Sequence, residues 1–213
     1  MKRLFILGRR STAVEIAEAA RGADPECEVV FVLRDDEVRE GDHQIHDRDL
    51  GRYLQGLAET PAYIVPFAHG TNRESVAAFA EGHGLVPATV LHPRAWVAPS
   101  ARVGPGTYVA AGAVISSGAV LAGQSIVNYG AVVGHDTAAG RHLVVNPGAC
   151  VGGDVRLGER VLVGANAFVA AGVSVGDDCR LDALSHVARD LPAGSLCTSR
   201  ALRVFPAVDD EQE

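Results

Sequence analysis

Aromatic side chains are scarce in this 213-residue chain, with one Trp, four Tyr and six Phe beside an apolar fraction of 47%. Globular cores usually take bulk from rings, so a core here has to be filled by small, branched side chains. An apolar fraction of this size excludes a disordered chain, and the length allows one large domain or two small ones. Positive charge is also short. A net charge of −7 argues against a general nucleic-acid binder, which needs a basic face for phosphates. Paired cysteines are missing: Cys27, Cys150, Cys179 and Cys197 are scattered without a C-x-x-C, giving neither a zinc knuckle nor a disulfide framework. A reducing cytoplasm is the expected home. The opening MKRLFILGRR has too short an apolar stretch for a secretory signal. No Asp, Glu, Lys or Arg occurs between Arg102 and Asp136, but regular glycines through that stretch favour a soluble repeat over membrane insertion.

What is abundant is a period of six. Stepping by six from Leu91 to Val187 gives 17 slots, of which all but Ala139 are Leu, Ile or Val. Random placement of the chain's 52 such residues would fill about four. The position four after each slot is Ala, Ser, Thr, Cys or Val except at Leu143 and Leu191. A period of six matches neither a helix face nor an alternating strand. It suits a coil of very short strands that turns a corner every six residues, the branched residue pointing inward. That is the hexapeptide repeat of a left-handed parallel β-helix, with three hexads to each triangular turn. Residues 91–192 carry seven Arg and seven Asp or Glu, so the acidic excess lies outside the repeat.

The earlier residues alternate short apolar runs (KRLFIL, VVFVL, YIV, LVPATVL) with helical stretches around Thr12–Ala20, DLGRYLQGL and RESVAAFAEG. Such alternation predicts an α/β, Rossmann-like small domain with a parallel sheet. The expected division is residues 1–88 for this domain, 89–192 for the β-helix and 193–213 for a C-terminal cap with an acidic tail. Ligands of parallel sheets bind at the strand carboxyl ends, where Gly8 to Thr12 and Asp35–Asp36 fall; an aspartate there can accept from a ribose or base, the alternative being an exposed turn. Gly8-Arg9-Arg10-Ser11 is not G-x-G-x-x-G, so a dinucleotide oxidoreductase is not indicated.

His92, His135, His142 and His186 all fall off the inward slots, so none need be core. His135 is the best candidate for a base: it precedes Asp136 in VVGHDTAAGRH, and a carboxylate can orient an imidazole and raise its basicity. The bland alternative is a solvated histidine beside an aspartate. Three convergent histidines, as a catalytic zinc would need, are not supplied by His135 and His142, and no metal is expected. Ala165 and Ala183 are 18 apart and stack on one edge of consecutive turns, where small side chains leave room for a thin ligand along the coil or simply make a compact wall.

The string IVNYGAVVGHDTAAGRHLVVNPGACVGGDVRLG, with Asn128, Gly130, His135, Asp136, Gly140, Pro147, Gly148 and Gly153, resembles the central motif of the bacterial sugar O- and N-acetyltransferases, which include sialic acid O-acetyltransferase and UDP-4-amino-sugar N-acetyltransferase. The resemblance runs from Met1 to about Phe205. It implies acetyl-CoA as acyl donor, a nucleotide-linked sugar as acceptor, and a homotrimer with active sites between subunits. It makes His135 the general base and Asp136 its acidic neighbour, and puts Asp35 and Asp36 on the nucleotide base. It puts Asn128 and Gly70 with the substrate, and Gly153, Ala165 and Ala183 along the coenzyme. Arg10, Ser11 and Thr12 stand where the family has its sugar-binding turn after the first strand, and Val144 where a second histidine contacts acetyl-CoA. A non-catalytic trimeric scaffold or binding protein stays open as the alternative, as does another acceptor such as sialic acid, a free sugar or a small amine.

Overall fold

A computed structural model describes residues 3–9, 11–34, 43–67 and 70–199. The first part is a five-stranded sheet in which every pairing is parallel, ordered β3-β2-β1-β4-β5: β1 Arg3–Leu7, β2 Glu28–Leu33, β3 Gln44–His46, β4 Ala62–Ile64 and β5 Val86–Pro87. Helices α1 (Ser11–Ala23) and α3 (Gly70–Gly82) are the long connections, and α2 (Leu50–Leu54) is a short one. Continuous apolar runs make β1 and β2 because both faces of a parallel sheet are covered, and all of Leu4 to Leu7 is buried. β3 is absent from the sequence expectation. QIH has one apolar residue and forms an edge strand because β2 offers it hydrogen bonds, a signal that hydrophobic periodicity does not carry.

The second part is the left-handed parallel β-helix. Two-residue strands stack in three faces, each strand pairing with the one 18 residues later, as Val133 does with Val151. Face 1 carries Val90–Leu91, Tyr108–Val109, Ile126–Val127, Val144–Val145, Leu162–Val163, Arg180–Leu181 and Leu196–Cys197. Face 2 runs from Trp96–Val97 through Val132–Val133 to His186–Val187, and face 3 from Arg102–Val103 to Ser174–Val175. The inward slots from Val109 to Val187 form one buried core without a single ring, which accounts for the shortage of aromatics. Leu91 departs from the inward expectation: it is 40% exposed because its strand pairs only with the coil above it, and the prism is open below.

The two parts share a core. The outward residues of face 1, Val90, Tyr108, Ile126 and Val144, pack against Ala13, Ile16, Ala17 and Ala20 of α1. Face 1 is thereby covered from Val90 to Val144, while Arg180 and Leu196 at its far end are exposed and the outward side chains of faces 2 and 3 stay exposed or half-buried. On face 2 these include Trp96 at 61% and Phe168 at 42% exposure. No described helix is long and apolar enough to cross a membrane.

Candidate active site

The three edges of the prism carry different chemistry. On the edge between faces 2 and 3, the corner residues of successive coils stack at 18-residue spacing as Ser117, His135 and Gly153, and beside them as Gly118, Asp136 and Asp154. Asp136 and Asp154 take left-handed backbone angles, φ 55° and 57°, which aspartate tolerates better than most residues. That turn lets neighbouring side chains converge where an ordinary strand would point them apart. The His135 Nδ1 lies 3.0 Å from Asp136 Oδ2 and 3.9 Å from Asp154 Oδ2. The other carboxylate oxygen of Asp136 leans over Gly118, which has no β-carbon to obstruct it. Gly153 lies beneath the imidazole: a β-carbon there would strike Nε2.

This arrangement has one chemical consequence. A carboxylate that accepts from Nδ1–H fixes the tautomer in which Nε2 carries the lone pair, so the outer nitrogen is the one able to take a proton. The imidazole is 59% exposed, open to an incoming group. His135, Asp136 and Asp154 offer ligand atoms within 4.8 Å of one another; a cation could bridge such a set, but the short Nδ1 contact to Asp136 is that of an oriented base.

Asn128, Ala165 and Ala183 occupy a different edge, between faces 1 and 2, where the Asn128 side chain donates to Asn146 Oδ1 at 3.4 Å. Face 2 separates this edge from His135, so one chain does not bring the two groups together. Among the sheet residues, Thr12 is in the first turn of α1, directly after β1; Ser11 and Gly70 begin α1 and α3 at the carboxyl ends of β1 and β4. Arg10, Asp35 and Asp36 lie outside the described residues. Val144 is a correction. It is 1% exposed and packed beneath α1, so it offers no surface to a coenzyme: the face on which a histidine could reach a ligand is here an internal seam.

His142 lies off the inward slots yet is buried on the third edge, between faces 3 and 1, because α3 covers that corner; its side chain is 5% exposed and its Nε2 is 3.8 Å from Glu74 Oε1. Burial, reinforced by the nearby Arg73 charge, pushes its pKa below the usual 6.5, with Glu74 opposing. Below pH 6.5 the unfolded chain then takes up a proton that the folded chain resists, so stability falls as the pH drops through that region. Melting curves recorded from about pH 7.5 down to about pH 5 should show a shallower acid loss for His142→Asn, a residue suited to the φ of 62°. Parallel curves for the two proteins would refute this.

Comparison with known proteins agrees with the geometry. Residues 154–183 match a family model described as the hexapeptide repeat of succinyl-transferase, and no curated protein sequence matches. A solved perosamine N-acetyltransferase from Caulobacter crescentus, a histidine-to-asparagine mutant in complex with CoA and GDP-perosamine, is 30% identical, with 91% of each chain covered and a TM-score of 0.82. The chain belongs to the hexapeptide-repeat sugar acetyltransferases. The acetyltransferase domain of PglB from Neisseria gonorrhoeae FA1090, in complex with acetyl coenzyme A, is 29% identical, covering 92% of this chain and 95% of that one, with a TM-score of 0.82. WeeI from Acinetobacter baumannii AYE, 17% identical over 91% of this chain and 94% of its own, shares the fold with a TM-score of 0.76. As a sugar acetyltransferase the protein is an enzyme.

Sequence reasoning misses Arg73 and Gln124, both buried on the third edge. A signal does exist: Gln124, His142, Arg160 and Asp178 recur at 18-residue spacing with φ between 51° and 62°, an unbroken column of polar side chains, whereas the equivalent positions on the other edges include several Gly.

Proposed function

We propose that this protein transfers an acetyl group from acetyl-CoA to the amino group of a nucleotide-linked sugar, with His135 as general base. One observation carries the reading: His135, held at Nδ1 by Asp136, presents Nε2 over the bare backbone of Gly153. It does so in a chain 30% identical, over nine-tenths of its length, to an enzyme bound to CoA and GDP-perosamine.

Neutral Nε2 takes a proton from the substrate nitrogen as that nitrogen attacks the thioester carbonyl. The tetrahedral centre then expels coenzyme A, the C–S bond breaks, and the imidazolium returns its proton to the thiolate. Asp136 stabilises the transient imidazolium. General-base help of this kind is worth roughly 100- to 10,000-fold. In this reading residues 1–88 hold the nucleotide sugar at the strand carboxyl ends, through Arg10, Ser11, Thr12, Asp35, Asp36 and Gly70, with Asn128 completing the acceptor site. The coenzyme lies against Gly153 and along Ala165 and Ala183.

In this reading the protein works as a homotrimer with its active sites between subunits. The outward side of face 2 is an apolar strip in which half-buried Val114, Val132 and Cys150 lie between exposed Trp96 and Phe168. A second copy seated there would set its Ala165 edge against the first copy's His135 edge, three times around a cyclic assembly. The test is thiol release from acetyl-CoA with a panel of nucleotide-linked amino and hydroxy sugars. Turnover should appear with amino sugars; no turnover with any acceptor, together with no coenzyme binding, would sink the reading.

A further inference from the structure

Arg73, in the first turn of α3, is the largest fully buried side chain among the described residues, with 0% exposure. Its guanidinium meets carbonyl oxygens: Nη1–H donates to Val65 O at 3.0 Å and Phe67 O at 2.6 Å, and Nη2–H to Gln124 O at 2.5 Å. No carboxylate pairs with it among the described ion pairs, and burial pushes its pKa down to about 10. A buried charge held by neutral acceptors stabilises a fold poorly compared with an apolar residue of the same size. What a planar fork does well is fix several acceptors in one geometry.

Those acceptors come from two places. Val65 and Phe67 follow β4 at its carboxyl end, the side of a parallel sheet where ligands bind. The ring of Phe67 lies against Gly8, at the end of the central strand β1, so closely that a β-carbon on Gly8 would come within 2.8 Å of it. Gln124 belongs to the β-helix, at the corner between faces 3 and 1. From the same corner its side-chain amide donates to Tyr63 Oη at 2.8 Å, and Tyr63 donates to Glu81 at 2.8 Å. One β-helix corner therefore grips both the middle of β4 and the chain just beyond it.

We propose that Arg73 is a positioning residue for the acceptor: by binding Val65, Phe67 and Gln124 carbonyls at once, it sets the floor of the nucleotide-sugar crevice relative to the coil that carries His135. This rests on the acetyltransferase reading above and adds to it a residue that touches no substrate. The sugar must reach His135 from a crevice on another domain, so an error in the height of residues 65–67 becomes an error in where the amine arrives.

The test compares wild type, Arg73→Lys and Arg73→Met. With a UDP- or GDP-linked 4-amino sugar, Arg73→Met should raise the acceptor KM at least tenfold, while the KM for acetyl-CoA stays within about twofold; Arg73→Lys, keeping charge but not the fork, should fall between. Hydrogen exchange should speed up at residues 65–67 in both variants and not in the β-helix. Equal movement of both KM values, or a lower melting temperature with neither KM changed, would overturn the inference. So would failure of both variants to fold, which would make Arg73 a support of the fold itself. Calorimetric binding of UDP and GDP separates the two readings: if wild type turns over no acceptor yet Arg73→Met loses nucleotide affinity, the acetyltransferase reading fails while the part of the inference that has Arg73 shaping the nucleotide crevice stands. Unchanged nucleotide affinity in Arg73→Met alongside an unchanged acceptor KM removes the positioning role alone.

Discussion

Replacing His135 by Ala should lower kcat/KM for the nucleotide amino sugar by about 100- to 10,000-fold while leaving the melting temperature almost unchanged. The two halves of that result have separate causes. The imidazole is 59% exposed and contributes nothing to the inward core, so its removal creates no cavity. Its Nε2 is the described group at that corner with a lone pair suited to accepting the amine proton. Asp136→Asn tests the orienting carboxylate: asparagine suits the left-handed backbone at that corner, but it cannot stabilise an imidazolium by charge. Activity should fall between wild type and His135→Ala. A fully active His135→Ala protein would remove the general base from the proposed mechanism.

Gly153→Ala should be nearly as damaging, without touching a reactive atom. The new methyl group would occupy the space of Nε2 and its neighbouring ring carbons. The obstructing atoms are the end of a side chain that can swing aside, so the coil survives and the imidazole moves. A displacement on the order of 1 Å at a reacting centre costs roughly 100-fold. The decisive comparison is the double variant. Once His135 is Ala, the ring that Gly153 makes room for is gone, so adding Gly153→Ala should change activity little further. Losses that multiplied independently would show that Gly153 acts on something other than His135.

The β-helix is legible in the sequence because its core is local in a special sense: Val127, Val133 and Val145 are inward for the same reason, and one periodic rule places them all. His135 stands out in the sequence through its neighbour Asp136 and the motif around it, whereas the turn that joins the two and the packing of Gly153 against the ring appear only in the structure. Register does not report what comes to rest against the coil from outside. Val144 and His142 occupy repeat positions like any others, yet α1 covers one and α3 covers the other, so the coenzyme expectation fails at Val144 and the burial of His142 goes unforeseen. Arg73 is hidden for a related reason: a basic residue early in a helix usually meets solvent, and only the meeting of β4, α3 and the β-helix puts three carbonyls around it. In the small domain, apolar runs reveal β1, β2 and β4, whereas QIH becomes β3 through its neighbour alone.

The 18-residue register also sets which changes of length the chain can absorb. Removing one whole coil from between Val155 and Gly172 would rejoin face to face and edge to edge, giving a shorter prism with its upper coils still in line. Removing six residues between Ala165 and Ala183 would rotate everything above by one face, carrying Ala183 from the edge it shares with Ala165 to another. Length in this half of the molecule is therefore quantised: insertions and deletions are tolerated in units of a full turn, and smaller ones act at a distance by turning one end of the molecule against the other.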